Sequence, residues 1–461
     1  MRHEHLKRTV TLALLGLMGC SAGVGGSGYP EARPLGRDLE VYRAPPRPSE
    51  AAVGSGVDEP TGDIVLADVL RLALLGNAEL AAFSWSVRAS DARALQAAQV
   101  PNPEMEVELE HFGGAGELAG FQAAEAKLVL SQVFEIGGKR GKRTKVALLE
   151  RDLSGWEYEA KRLDVLADAA VAFVRVLANQ ERLVVAEESA EVARRVLEVV
   201  SERVKAGKVS PLEETRAGVE LAAIEIEVER IRNAHQASRM RLGAAWGSSE
   251  PVFGKATGDF YRVDDLPSSD ALLGRAHEAP EIARWSTEME MYEAAIEMQK
   301  AVRIPDVELS GGVKRELENR WDSYVLSVGI PIPLFDRNRG GIREAECNLA
   351  RGREGRKAAE VAISADLFET YHILSASHKE AVSLASTVLP AAERALEATG
   401  EGYRQGKFGY LDVLDAQRTL FEVKAQYIDA LESYHESVMR VERIIGCELG
   451  DASRDETGGG R

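Results

Sequence analysis

The chain has 461 residues, with 57 Lys and Arg against 74 Asp and Glu, for a formal charge of −17. That balance argues against a nucleic-acid binder, because phosphate contacts need clustered cations. Apolar residues at 45% and charged residues at 28% exclude a disordered chain, and three cysteines exclude a disulfide framework.

The chain opens on an address. Arg2, Lys7 and Arg8 form a basic stretch, and Val10 to Met18 form a short apolar one. Leu17-Met18-Gly19-Cys20 then reads as a lipobox, so residues 1–19 are expected to be a lipoprotein signal peptide and Cys20 the lipidated residue. An ordinary secretory signal with an incidental Cys20 is the alternative. Ser21, in place of Asp, favours the outer membrane. Residues 20–61 are rich in Gly, Pro, Ser and charge, and read as a lipidated linker. Past residue 20 there is no run of 18 apolar residues, so no membrane-spanning helix is expected.

From residue 62 the elements alternate between long helices and short strands. Met105, Val107 and Leu109 alternate with Glu104, Glu106, Glu108 and Glu110. A second strand is expected over 124–134, and two more over 307–314 and 323–333, with hairpin loops at 113–123 and 315–322. Each is about 8–11 residues, the length of a tilted strand in an outer membrane. Gly137 to Lys205 and Asn338 to Gln405 have few breakers and are expected to be helices on the order of 100 Å long. Pro390 should kink the second. The last helix carries an apolar stripe of Leu420, Val423, Tyr427, Leu431, Tyr434, Val438, Val441 and Ile445. The tail, 448–461, reads as disordered.

The chain is duplicated. The segment AGKVSPLEETRAGVEL from Ala206 matches QGKFGYLDVLDAQRTL from Gln405 at an offset of 199, which pairs Gly207 with Gly406 and Lys208 with Lys407. The two halves are expected at 62–250 and 265–447. Two hairpins cannot close a barrel, and open edges are not tolerated in lipid. If the strands span a membrane, the chain must therefore oligomerise; three copies would supply twelve strands.

Several segments resemble the TolC family of outer-membrane efflux channels, and within it the CzcC-like heavy-metal branch. They are IVLADVLRLALLGNAELAA, Asn102-Pro103, LSQVFEIGGKRGKR at 130–143, SVGIPIPLFDRNRGGIREAE at 327–346 and YRQGKFGYLDVLDAQRTLFEVKAQYIDAL at 403–431. The resemblance covers about residues 62–447. It implies a mainly α fold with a membrane β-barrel, in which three chains build a 12-stranded barrel and a helical tunnel through the periplasm. It also implies a periplasmic adaptor and a resistance-nodulation-division pump as partners. Drug efflux and type I protein secretion remain open as cargos. A structural coiled-coil lipoprotein without a pore is a reading of another class. No nucleophile elbow, phosphate loop or metal triad is found, so neither an enzyme nor a cofactor is expected.

Asp412 and Asp415 lie three apart just after the turn at Gly406. Carboxylates in a first turn suit the helix dipole, which is one explanation. By the resemblance they line the periplasmic mouth, where three copies make a ring of six carboxylates and a cation-selective, acid-sensitive gate. Their first-half counterparts are Glu213 and Arg216; Arg216 either pairs with a carboxylate of a neighbouring helix or stands exposed. The resemblance places adaptor docking at the two turns, with Gly207, Lys208, Gly406 and Lys407. Glu106, Glu108 and Glu110 face the barrel lumen if Met105, Val107 and Leu109 face lipid; an acidic solvated face near the rim is the alternative. The basic run from Lys139 to Arg143 fits a strand-to-helix junction near lipid phosphates, or a plain solvated patch. His372 and His378, six apart, and Met289, Met291 and Met298 do not form a metal pattern. Cys347 and Cys447 are expected to be buried.

Overall fold

The computed structural model describes residues 28–50, 58–116 and 119–450, so the signal peptide, Cys20 and the tail after 450 lie outside the described residues. The first half runs α1 (Leu66–Gly76), α2 (Ala78–Ala97), β1 (Glu104–Glu110), β2 (Glu125–Phe134), α3 (Lys139–Lys205) and α4 (Pro211–Ala244). The second runs α5 (Ser269–Ala276), α6 (Pro280–Val302), β3 (Val307–Glu316), β4 (Trp321–Gly329), α7 (Arg339–Ser383), α8 (Leu389–Arg404) and α9 (Tyr410–Ile445).

The 67 residues of α3 form one unbroken helix, about 100 Å long. Its second-half equivalent is divided. Between α7 and α8, Leu384–Val388 form a π-helical turn in which the Leu389 N–H reaches back to Leu384 O. Pro390 is the cause: it has no N–H to give, and its ring needs room against the carbonyl one turn earlier. The kink expected at this proline therefore takes the form of a widened turn.

The helices pack into a wall with α9 near its centre, touching α3, α7 and α8. The α9 stripe is buried as its period requires, with Leu431 and Val441 fully enclosed and Tyr427 partly covered. Ion pairs fix the antiparallel register of α9 on α3: Arg175–Glu436 at 2.6 Å, Arg182–Asp429 at 2.6 Å and Lys424–Glu188 at 2.8 Å. Exposed pairs of this kind contribute little stability each, so their main effect is on register.

The four strands form one antiparallel sheet in the order β1-β2-β3-β4, and the β2–β3 pairing joins the two halves. Residues paired in register share a face. One face carries Met105, Val107 and Leu109 beside Leu128 and Leu130, then Leu309 and Val313, then Tyr324, Leu326 and Val328, all of them exposed. The other carries Glu106, Glu108 and Glu110 with Glu125, Lys127, Ser131, Ser310, Lys314 and Ser327. β1 and β4 have no partner on their outer edges among the described residues. β4 stops at Gly329, short of the expected Pro333, because Pro331 and Pro333 cannot donate to a ladder. The loop between β3 and β4 is correspondingly tight, at 317–320.

The segment expected to be a linker is, over residues 28–44, a strap bound to the helices. It has loop composition but specific partners. Leu35 N–H bonds Gly446 O at 2.9 Å, Tyr42 N–H bonds Leu74 O at 3.1 Å and Ala44 N–H bonds Ser84 Oγ at 2.7 Å. The Tyr29 ring meets Tyr158 edge to face at 5.0 Å. The strap lies so close at Gly155 that a Cβ there would sit 1.9 Å from Gly28 O. Beneath it is a buried ion pair: Arg162 donates to both oxygens of Glu159 at 2.8 Å and to the carbonyls of Leu35 at 2.8 Å and Arg33 at 3.2 Å.

Between the halves, a segment crosses α9. His435 Nε2 meets Phe260 O at 2.8 Å, and the Asp264 N–H donates to the Tyr434 hydroxyl at 3.0 Å. Burial pushes the His435 pKa below its ordinary 6.5, and the Phe260 carbonyl opposes this only in part. The fold therefore holds a neutral ring. Its contribution is complete above about pH 6.5 and is lost as pH falls toward the depressed value. His435→Gln is expected to flatten the fall in thermal midpoint between pH 7.5 and 5.5. An unchanged fall would show that His435 is not its source. His235, depressed by burial and by Arg239, acts with the same sign in both proteins.

Cys447 is buried as expected. Cys347 is not: it sits on an exposed face of α7, because only Ala345 of that turn points into the wall. Met291 and Met298 pack with Val146 and Leu149, an ordinary apolar contact. No helix among the described residues is long and apolar enough to cross a membrane.

Candidate functional site at the helical tips

The two turns that join α3 to α4 and α8 to α9 are built alike. Both helices end on a left-handed glycine, Gly207 at φ +68° and Gly406 at φ +75°. The residue after each glycine reaches back to close the helix: Lys208 N–H to Arg203 O at 2.9 Å, and Lys407 N–H to Gly402 O at 2.8 Å. The glycine N–H groups bond Val204 O at 2.9 Å and Tyr403 O at 3.0 Å. This double closure requires a positive φ at its centre, which is why the Gly-Lys pair recurs in both halves.

The following helices start differently. Ser210 caps α4, its hydroxyl accepting from Leu212 N–H at 3.3 Å. Gly409 has no side chain with which to cap α9, and Asp412 supplies the missing bond by accepting the Gly409 N–H at 2.8 Å. Asp412 is thus half of a capping arrangement as well as an exposed charge. Asp415 is exposed one turn later. Its nearest cation in sequence, Arg418, is held by Glu220 of α4 through Nε at 2.9 Å.

The structure brings the tips of the two halves side by side around Val200, Ala217, Tyr403, Tyr410 and Val413. Arg203 lies over the Tyr403 ring at 4.3 Å and donates to the Tyr403 carbonyl at 3.3 Å. Glu213 is turned toward this cluster, and one of its oxygens is buried without a donor among the described residues. Burial, then Glu220, push the Tyr410 pKa upward. Arg216 is exposed and has no ion-pair partner in this chain among the described residues. The suggested pairing of Arg216 with a neighbouring helix is therefore not made within one copy; the ion pair that ties the two halves here is Arg418–Glu220.

Arg203, Tyr403, Tyr410, Glu220 and Arg418 had no sequence signal. Their offset partners are unlike them: Gly402, Val204, Pro211, Thr419 and Val219. In the sheet, register sets Lys127 and Lys314 on the glutamate face. They put two cations among the glutamates, and Lys127 binds Glu108 at 2.9 Å. At the first strand-to-helix junction the basic run is mostly paired internally: Lys139–Asp306 at 2.8 Å, Arg143–Glu135 at 2.6 Å and Lys142–Glu297 at 3.5 Å. No group of three or more His, Cys, Asp or Glu positioned to hold a metal occurs among the described residues.

Comparison with known proteins bears on this geometry. Residues 69–248 and 275–447 match the pattern of the family described as outer membrane efflux proteins. The cobalt-zinc-cadmium resistance protein CzcC of Cupriavidus metallidurans is 32% identical over 84% of this chain and 91% of its own. The nickel and cobalt resistance protein CnrC of the same organism is 29% identical over 56% of this chain and 61% of its own. Among solved structures, CusC, described in terms of transmembrane channel formation, superposes with a TM-score of 0.70 at 17% identity. That match covers 89% of this chain and 99% of CusC.

Proposed function

This chain belongs to the outer membrane efflux protein family, and we propose that it is the passive exit duct for divalent heavy-metal cations, working as a homotrimer. The observation that carries the duct is the two-faced sheet with two open edges. Its exposed apolar face suits lipid, its polar face suits a lumen holding Glu106, Glu108 and Glu110, and its edges need partners. Joining β4 of one copy to β1 of the next closes twelve strands from three copies.

The helical wall supports the same closure. Leu212, Val219, Ile226 and Met240 are exposed on α4 at intervals of whole heptads. On the opposite edge, Ile373 on α7 and Val388 on its continuation are exposed. Counted from the two tips at equal rise, Ile226 and Met240 come level with Val388 and Ile373. An α4 stripe matched in level by apolar residues on the opposite edge suits a coiled-coil seam between copies.

Lipidation at Cys20 is consistent with the strap. Gly28 contacts Gly155, about 24 Å along α3 from the sheet end at 1.5 Å per residue. Eight extended residues reach about 27 Å, so a chain anchored at Cys20 can reach the membrane. At the other end, Gly207, Lys208, Gly406 and Lys407 present the tips to a periplasmic adaptor and, through it, a resistance-nodulation-division pump.

The cargo is read from CzcC and CnrC, whose names specify cobalt, zinc, cadmium and nickel resistance. A deletion strain challenged with divalent metals, dyes, detergents and antibiotics tests it. Sensitivity to the metals alone, with lost metal efflux, is expected. Sensitivity to dyes and detergents alone would keep the duct and remove the metals.

For the gate, Asp412 and Asp415 of three copies would ring the opening. Asp412→Asn with Asp415→Asn removes six charges while leaving an acceptor for Gly409 N–H. In bilayer recordings under a salt gradient, the double variant is expected to lose most of the cation preference. An unchanged reversal potential would remove these residues from the gate.

A further inference from the structure

The connector between β4 and α7 is longer than a link requires. The equivalent connector in the first half, between Phe134 and Lys139, takes four residues; this one takes nine, 330–338. Its Ile330, Ile332, Leu334 and Phe335 are all exposed, Phe335 to 97%. The segment is nonetheless held in shape. Leu334 N–H bonds Ile332 O at 2.9 Å, Asp336 accepts the Asn338 N–H at 2.9 Å, and the Asn338 amide donates to the backbone and side-chain oxygens of Gln299 at 2.8 Å each. Arg337, Arg339 and Arg343 follow directly, all exposed and without an ion pair among the described residues. Arg337 donates to Pro333 O at 3.3 Å. Arg339 and Arg343 lie one turn apart at the start of α7. The paired cations of the first junction show the opposite arrangement.

We propose that this connector is an interfacial anchor. Ile332, Leu334 and Phe335 sit among acyl chains of the periplasmic leaflet, and Arg337, Arg339 and Arg343 sit on the phosphates of anionic glycerophospholipids. The inference rests on the sheet spanning the outer membrane. Two features favour lipid over a second copy of the chain as the occupant. The exposed apolar alternation of Tyr324, Leu326 and Val328 continues without a break through Ile330, Ile332 and Leu334. The order apolar, then cationic, then helical wall also repeats the order acyl chain, phosphate, water of a leaflet.

The test uses the full chain reconstituted in vesicles of phosphatidylethanolamine and phosphatidylglycerol. Phe335→Trp and, separately, Leu326→Trp are read as added fluorescence over the parent's five tryptophans. Phe335→Trp is expected to be quenched several-fold more by phospholipid brominated near the carbonyl than by phospholipid brominated near the chain end. Leu326→Trp should show the reverse. Changing Arg337, Arg339 and Arg343 to Gln in the Phe335→Trp protein should abolish the gain in quenching when the brominated lipid is anionic.

Added fluorescence from Phe335→Trp that is blue-shifted yet quenched by neither lipid would mean that a second copy covers the position, and would overturn the anchor. Quenching by aqueous iodide alone would also overturn it, and so would an anionic-lipid preference that survives the three substitutions. If Leu326→Trp is quenched while Phe335→Trp is not, the anchor alone fails. If neither is quenched, the membrane-spanning sheet fails with it.

Discussion

Ile226→Glu is expected to leave the chain monomeric and the duct closed to current. Ile226 is exposed in the single chain, near the middle of the α4 stripe. In the proposed trimer it enters a seam against the next copy's α7–α8 edge, and three carboxylates would be buried there without partners. An unpaired buried charge costs several kcal/mol, and the cost recurs at each of three seams. A single chain gains nothing from an apolar Ile226, so its own helices should be as stable as before. Crosslinking and gel mobility should show monomer in place of trimer, with unchanged helical content. A trimer that persists would place the seam elsewhere. Ile226→Leu, which keeps the apolar surface, should assemble normally.

The second large effect is expected from Arg162→Ala. Arg162 and Glu159 are both almost wholly buried, and the guanidinium also donates to the strap carbonyls of Arg33, Leu35 and Gly36. Removing it leaves Glu159 buried with the Arg33 N–H, at 2.7 Å, as its remaining donor among the described residues. The loss should be about 3–5 kcal/mol, in the range for breaking a buried pair by removing one partner. It should fall first on the strap, because the helices beneath keep their apolar contacts. Proteolysis should then cut within residues 28–44 of the variant while the wild type resists. Equal resistance would mean that Tyr29 and Tyr42 hold the strap without the arginine. Arg162→Lys should fall between the two, keeping the charge but losing the fork.

The parts of this fold that were readable in sequence are those that local chemistry determines. Strand alternation survives in β1 because a pleat has period two, and Glu106, Glu108 and Glu110 came out on one face as the pattern required. The twin tip turns were readable because a left-handed C-terminus demands glycine. The far end of β4 misled because its apolar alternation continues past the last ladder bond, and only the prolines mark the end. The strap misled more, since Gly and Pro are common in it and its partners Ser84, Arg162 and Gly446 lie far along the chain. At the tips, Arg203 on Tyr403 and Arg418 on Glu220 each cross about 200 residues. Duplication gave no hint of them, because neither pair is repeated.

The pairing of β2 with β3 has a consequence for how the protein is made. Residues matched across it, from Phe134 with Val307 to Glu125 with Glu316, are roughly 170 to 190 residues apart. The central ladder of the sheet cannot form until α3, α4, α5 and α6 have been synthesised and folded back on themselves. Long-range pairings of this kind are slow, because the chain must close a large loop before any contact rewards it. For that interval the newly made chain carries two separate apolar hairpins through water. The long helices, rich in local contacts, form early and bring the hairpins to one end. Assembly is therefore ordered in time, with the water-facing body first and the membrane-facing sheet last.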